Sequence, residues 1–398
     1  MQSKVLIGVS ITAAIVVVVA AVLFFWRPAK PVEHLALCCP ESVQPLFQEL
    51  VESYRASHEG APSIEVEGVA DESCTADFLG GQIASGAADI VILKTAGGGA
   101  ALDSAGLADL SGSVSVSDDA LPFAPLDADG AHSLPLCGEV PVLLCNTALF
   151  DQAGLSLPDS RSAFLGSCWT LEAEGIAPFG LEVDEAGRWN AADLLDSCLL
   201  NGDYELERAP VVEGDLNVGF YDYEYLAENL QQVLPARDEA PHGHDALLQA
   251  FADGSYAMVV GTSSEYKALA ADGVSCAALP LYGATDGVRM AWSTAYALSV
   301  SQRVHGAETK EFLNWLLSAE AQQAIYAALG YVPAGSGVEV NEADQMLYTP
   351  SPTSEWCAAP SFVKGFSPSQ REACLAACDA AFDGSFDADG LLESLSHG

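Results

Sequence analysis

Between His34 and Ala105 the sequence alternates short apolar runs with amphipathic stretches, and this restricts the chain to few folds. His34 to Cys39 reads as a strand. Ser42 to Ala56 reads as a helix with Leu46, Phe47, Leu50 and Tyr54 on one face. Ser63 to Val69 alternates as a half-buried strand does, Thr75 to Ser85 is helical, Ala88 to Leu93 is a continuous apolar strand, and Ala100 to Ala105 reads as a further helix. Strands joined by helices run parallel, because a crossover of that length brings the chain back to the same end of the sheet. A parallel sheet is covered on both faces, so the expected class is α/β.

The rest of the chain extends the pattern less regularly. Ser133 to Asn146 holds two strand-like pieces around Gly138, followed by a helix at Thr147 to Ala153 and a polar, proline-punctuated region to about Pro210. Tyr221 to Val233 and Asp245 to Asp253 read as helices, Ser255 to Val260 as a buried strand, and Ala291 to Ser299 as another strand. Thr262-Ser263-Ser264-Glu265 has the spacing of a capping box, with Thr262 as N-cap and Glu265 reaching back. Ala307 to Leu329 is expected to form two helices parted near Ser318, stopped by Gly330 and Pro333.

Half of the 398 residues are hydrophobic and 18% are charged, which excludes global disorder. Asp and Glu number 55 against 15 Lys and Arg, a formal charge of −40 that repels phosphate backbones and anionic lipid surfaces. Nucleic acid is therefore not an expected partner. Val5 to Trp26 is a run of 22 uncharged residues, long enough for a transmembrane helix. No small-residue cleavage pattern follows it, so it reads as an uncleaved anchor; a lipid anchor on Cys38 is a weaker alternative, since Leu37 precedes that cysteine. Eleven cysteines without metal-ligand spacing predict disulfides in an oxidising compartment.

Four phrases then occur in order. They are Gly81-Gln82-Ile83-Ala84-Ser85-Gly86-Ala87-Ala88-Asp89-Ile90-Val91, Leu134-Pro135 with Val142 to Asn146 and Leu149-Phe150, Phe251-Ala252-Asp253-Gly254-Ser255-Tyr256-Ala257-Met258, and Glu311 to Leu316 with Ala321-Gln322 and Gly330-Tyr331-Val332-Pro333. Together they resemble the extracellular solute-binding proteins of ABC importers, of the type II periplasmic-binding fold. The resemblance implies two α/β lobes joined by hinge strands, with a ligand held between them by hinge closure. Residues 1–30 would be a cytoplasmic stub and anchor, 31–134 with 296–332 lobe one, and 135–295 with 333–398 the hinge, lobe two and C-terminal helices. The lobes would face outward from the cell membrane, and the expected partners are a small-molecule solute and an ABC permease, with the binding protein itself monomeric.

In such a fold, ligands meet strand carboxyl ends and helix amino termini. That selects Glu41 and Ser42 after the first strand, Ser73, Cys74 and Thr75 after the second, Lys94 and Thr95 after the third, and Thr262, Ser263 and Ser264 after the lobe-two strand. Simple N-capping is the plainer reading of each Ser and Thr, above all of Thr262 with its capping box. Lys94, one of six lysines, would meet a carboxylate or oxyanion, or else neutralise the acidic surface. Trp292 stands where the family often carries a cleft aromatic. Tyr221, Tyr223, Tyr225, Trp169 and Trp189 are further candidates for stacking on a sugar, with plain core packing as the alternative. Cys39 with Cys74, and Cys137 with Cys145, are the candidate disulfides.

Catalytic signatures are lacking: the chain holds no Gly-x-Ser-x-Gly, His-Glu-x-x-His or phosphate loop, so neither an enzyme, a cofactor nor a metal is expected. Gly97-Gly98-Gly99 is followed by Leu102 where a dinucleotide turn needs a small residue. His242 and His244 read as solvated, and Asp383 to Asp389 as a turn leading into a last helix instead of a calcium loop. The resulting expectation is a membrane-anchored binding protein for a small polar solute, a carbohydrate. An oxyanion-binding protein of the molybdate type, using Ser42 and Ser73, and a tethered sensor or interaction protein are the alternatives.

Overall fold

The structure is a computed structural model that describes residues 34–95, 102, 104–110, 132–202, 216–281, 289–335, 337–340, 357–360 and 367–396. The apolar run Val5 to Trp26 and the triglycine Gly97–Gly99 lie outside the described residues. Among the described residues, no helix is long and apolar enough to cross a membrane.

Two sheets carry the fold. The first is built from β1 (His34–Pro40), β2 (Ser63–Val69), β3 (Ile90–Lys94), β4 (Leu134–Glu139), β9 (Arg289–Val300) and β10 (Val332–Pro333), in the order β10-β4-β9-β3-β1-β2, with β11 (Cys357–Pro360) on the early half of β9. β1, β2 and β3 are mutually parallel, as the alternation of strands and helices requires, and β9 is antiparallel to both β3 and β4. Side chains alternate between the faces. Leu35, Leu37 and Cys39 pack under α1 (Gln44–Ser57), α9 (Ala307–Leu316) and α10 (Ala319–Leu329), while Cys38, Val91 and Leu93 pack under α2 (Ala76–Ser85).

The second sheet has the order β6-β7-β5-β8, from β5 (Pro141–Asn146), β6 (Phe179–Gly180), β7 (Met258–Thr262) and β8 (Cys276–Pro280). Val142 and Leu144 face α7 (His244–Ala252) and α8 (Ser263–Ala271). Leu143 and Cys145 face the larger core that gathers α3 (Thr147–Ala153), α4 (Arg161–Ala173), α5 (Ala192–Gly202), α6 (Leu216–Gln231) and the tail helices α11 (Pro368–Phe382) and α12 (Ala388–Ser396). Ion pairs fasten the tail here: Arg188 to Glu372 at 2.6 Å and Arg237 to Asp379 at 2.7 Å and Asp383 at 3.1 Å. Asp383 is thus spent on arginine, and α12 follows as the expected last helix.

Several sequence expectations need correction. Residues 102, 104 and 105 are not helical, and Leu107 instead bridges Ser301 on the sheet's flank. The polar middle contains two full helices, α4 and α5, which the pattern did not announce. The cysteines at 38, 39, 74, 137, 145, 168, 198, 276, 374 and 378 are free thiols. Cys39 cannot meet Cys74 because it points into the core beneath α1, whereas Cys74 lies on the opposite face with Cys38. Cys137 and Cys145 sit in the cores of different sheets. Burial disfavours the thiolate, pushing Cys38 and Cys74 up to about 11 and Cys39 up to about 12.

The phrase Ala321-Gln322 has a physical reason. Gln322 is fully buried; its Nε2 donates to the carbonyls of Leu136 (3.1 Å) and Leu316 (2.9 Å), and its Oε1 accepts the amides of Ala334 (2.7 Å) and Gly335 (3.0 Å). One side chain therefore joins α10, β4 and the chain leaving β10. Replacing it by Leu removes the partner of four backbone groups, three of them buried, so Gln322→Leu is expected to lower stability by about 2–4 kcal/mol in chemical denaturation, with an unchanged denaturant slope.

Candidate functional site

The topology brings a defined set of residues to one edge. The carboxyl ends of β1, β2 and β3 lie together because the strands are parallel; β9 runs the other way and places Tyr296 opposite Lys94. β4 runs back again and ends with Glu139 opposite Ser293. After the single residue Val140, Pro141 pairs with Thr262 at the carboxyl end of β7, and β6 lies parallel to β7. The two sheets thus meet edge to edge at Val140.

On the first sheet's side, Glu41, Ser42 and Ser73 are exposed. The Ser42 amide donates to Asp71 Oδ1 at 3.0 Å. Hydrogen bonds from Ser42, together with the charge of Lys94, hold the Asp71 carboxyl below the usual range. Lys94 is exposed at the end of β3. Thr95 is drawn to β9, its Oγ1 donating to the Thr294 carbonyl at 2.5 Å. Thr75 acts as an N-cap, accepting the Phe78 amide at 3.3 Å. Tyr296 and Tyr331 form an edge-to-face pair with centroids 5.8 Å apart. Burial raises Tyr296 to about 12, against a hydrogen bond from Ser42; Tyr331 is raised by burial and the nearby Glu139, with Ser264 opposing.

On the second sheet's side the expected capping box is present: Thr262 Oγ1 accepts the Glu265 amide and Glu265 Oε2 accepts the Thr262 amide at 2.8 Å. Ser263 is fully buried, its amide donating to the Val140 carbonyl at 2.9 Å and its Oγ accepting the Val140 amide at 3.4 Å. It pins the crossing and is turned away from solvent. Ser264 Oγ donates to Glu139 at 2.7 Å.

His244 departs from the solvated reading. It opens α7 with Nδ1 2.7 Å from Glu182 Oε2 and Nε2 2.9 Å from Glu265 Oε1, beside a depression of about 310 Å³, part of it open to solvent, walled by Leu181, Asn190, Asp193, Leu194, Leu247 and Val260. The Glu182 and then the Glu265 hydrogen bonds lift His244 to about 10 despite partial burial. Burial alone would raise Glu265, but His244 and the Thr262 amide bring it below its ordinary value.

Of the residues expected from sequence, Ser42, Lys94, Thr95, Thr262 and Ser264 come to the common edge. The backbone of Trp292 pairs with Pro360 of β11; its side chain lies outside the described part of the structure. Trp189 is buried under Arg237, and Tyr223 is buried with its hydroxyl on the Cys378 carbonyl, so both belong to the second core. Tyr221, Tyr225 and Trp169 are exposed on helices of that core's outer layer. Asp71, Glu139, Glu182 and Tyr296 are not among the residues the sequence points to, Tyr331 appears there only within a family phrase, and His244 appears only as a solvated histidine. Glu139 follows the first of the two strand-like pieces around Gly138 and Tyr331 stands inside the phrase Gly330-Tyr331-Val332-Pro333; Glu182 carries no sequence signal, and His244 carries only the solvated one. Among the described residues no group of side chains could hold a metal ion.

The sequence pattern of bacterial extracellular solute-binding proteins matches residues 41–323. A structure described as a probable secreted solute-binding lipoprotein from Streptomyces coelicolor superposes with a TM-score of 0.71 at 16% identity, over 93% of this chain and 99% of that one. RafE from Streptococcus pneumoniae in its apo form gives 0.67 at 16%, over 94% and 98%. The cyclic alpha-maltosyl-1,6-maltose binding protein from Arthrobacter globiformis gives 0.67 at 16%, over 93% and 97%. No curated protein matches the sequence.

The His244 bridge fixes a pH dependence. A folded value raised above the unfolded one means that its stabilisation is complete below about pH 6.5, the unperturbed histidine value, and is lost as pH rises through about 10. Glu265 is depressed, so its share is present above the ordinary carboxylate value and is lost as pH falls through the lowered one. His244→Gln is expected to cost about 1–2 kcal/mol at pH 7, a figure discounted for solvent screening of this half-exposed ring. Melting curves of wild type and variant should converge above pH 10.5 or so.

Proposed function

This chain belongs to the bacterial extracellular solute-binding proteins, and we propose that it captures a small polar solute, a carbohydrate, in a cleft between its two lobes and delivers it to an ABC permease. The observation that carries this reading is the convergence of strand ends from both sheets on Val140, which puts hydroxyls, carboxylates and a tyrosine pair on two edges that a hinge can bring together. Glu139 and Asp71 accept hydrogen bonds from sugar hydroxyls, and the Tyr331 ring offers an apolar face to the C–H side of a pyranose. Relatives of this fold bind saccharides by name, among them a cyclic maltosyl-maltose and raffinose. Capture involves no bond chemistry: closure on the solute shifts a two-state equilibrium, and the permease reads the closed form.

Lobe one then comprises residues 31–134 with 296–332, and lobe two 135–295 with 333–398. The run Val5 to Trp26 spans the membrane with the amino terminus inside, and the monomeric lobes work outside. An oxyanion is a poorer fit. The Ser42 amide that would receive it already holds the Asp71 carboxylate, and the chain carries a formal charge of −40.

Calorimetric titration of the full chain in detergent with raffinose, maltose-type oligosaccharides, amino acids and molybdate tests the reading. A saccharide is expected to bind, and at about 100 times its Kd to add about 2.7 kcal/mol of stability. Tyr331→Ala should weaken that binding by about tenfold or more. Binding of molybdate alone, or of no solute by the folded chain, overturns the proposal.

A further inference from the structure

The hydrogen bonds around His244 continue past it in both directions. Asn190 Nδ2 donates to Glu182 Oε1 at 2.5 Å, Glu182 Oε2 and Glu265 Oε1 flank the imidazole at 2.7 and 2.9 Å, and Glu265 Oε2 takes the Thr262 amide at 2.8 Å. Thr262 Oγ1 lies 3.1 Å from Ser264 Oγ, which donates to Glu139 at 2.7 Å. Since the Ser264 proton is given to Glu139, the Thr262 hydroxyl is the donor in the preceding step. The series therefore runs, with one consistent direction at its end, from the depression beside α7 to the last residue of β4 in the other sheet.

The ring at its centre has the surroundings of a cation. Both nitrogens lie within hydrogen-bond distance of a carboxyl oxygen, an acceptor when ionised, so the arrangement in which both nitrogens donate is the imidazolium. A neutral imidazole would set one lone pair against a carboxylate and leave two anions beside an uncharged ring. Asp193 also lines the depression, and His242 and Asp245 stand beside His244 in the chain; neither aspartate supplies a substitute cation.

We propose that His244 is a positioning residue which, as an imidazolium, ties the segment after β6 and the start of α8 into one unit and through Thr262 and Ser264 fixes that unit to Glu139 at the hinge. Loss of its proton frees Glu265 from Glu182, loosens the Thr262–Ser264 pair and releases the crossing at Val140. That this governs solute capture rests on the function proposed above; the coupling itself does not, and is testable without any ligand.

Hydrogen exchange by mass spectrometry on the full chain in detergent at pH 7 reads it directly. His244→Gln is expected to speed exchange by about tenfold or more in segments 134–146 and 258–266 while leaving 34–40 unchanged. Ser264→Ala, which cuts the series at its far end, should speed 134–146 but not 179–191. Acceleration in His244→Gln confined to 179–191 and 241–252 makes the histidine a local ion pair and overturns the proposal. If that variant loosens everywhere, Ser264→Ala decides, and unchanged exchange at 134–146 overturns it. Carbon-13 histidine spectra provide a readout beyond structure: a His244 ring that titrates where a free histidine does is incompatible with the proposal.

Discussion

The reciprocal hydrogen bonds between Val140 and Ser263 are the constraint on which the architecture hangs. Glu139 is the last residue paired with the first sheet and Pro141 the first paired with the second, so one residue carries the chain from one sheet to the other. Ser263 holds that residue by its amide and its hydroxyl while opening a helix of the second sheet. Together with the Ser264–Glu139 hydrogen bond, this pin sets the relation of the two edges that present Lys94, Tyr296, Glu139, Thr262 and Ser264. The buried Gln322 does the matching work on the first sheet's side, joining β4 to the chain after β10.

Scarcity of positive charge shapes the rest. With 15 Lys and Arg against 55 Asp and Glu, three cations are each placed where they serve two carboxylates. Arg188 bridges Asp184 and Glu372, Arg237 bridges Asp379 and Asp383, and His244 bridges Glu182 and Glu265. Each bridge joins segments distant in sequence, which turns a shortage of cations into a set of cross-links between helices of the second core and its edge. The cations of these pairs are half-buried, while Glu372 and Asp383 remain exposed, so the pairs to Asp184, Asp379, Glu182 and Glu265 are the ones least open to screening.

Much of this was legible in the residues. Ser63–Val69 and Thr147–Ala153 form where the periodicity places them, the helix pair parts at Ser318, and Thr262 caps α8 with Glu265. The misses have physical causes. α5 buries Leu194, Leu195, Asp196, Ser197, Cys198, Leu199 and Leu200, so it has no polar face to mark it, and α4 buries Ser167 among its apolar residues. His244 looked solvated because its partners lie 62 residues before it and 21 after it. The cysteines suggested cross-links because type and compartment can be read from a sequence, whereas the face of a strand on which each thiol falls decides what it can reach.

The order of strands in the first sheet sets the order in which the chain can fold. β3 borders β1 on one side and β9 on the other, and in sequence β9 is separated from β3 by β4 and the whole second sheet. While the protein is being synthesised, β1, β2 and β3 therefore wait with the edge of β3 unpaired until residue 300 has emerged. The second sheet, whose strands all lie between 141 and 280, can close first. Exposed parallel strands that wait for a distant partner are slow to finish and prone to pair with other chains. The interval between the third and ninth strands is thus the time during which an unpaired parallel edge is open to other chains.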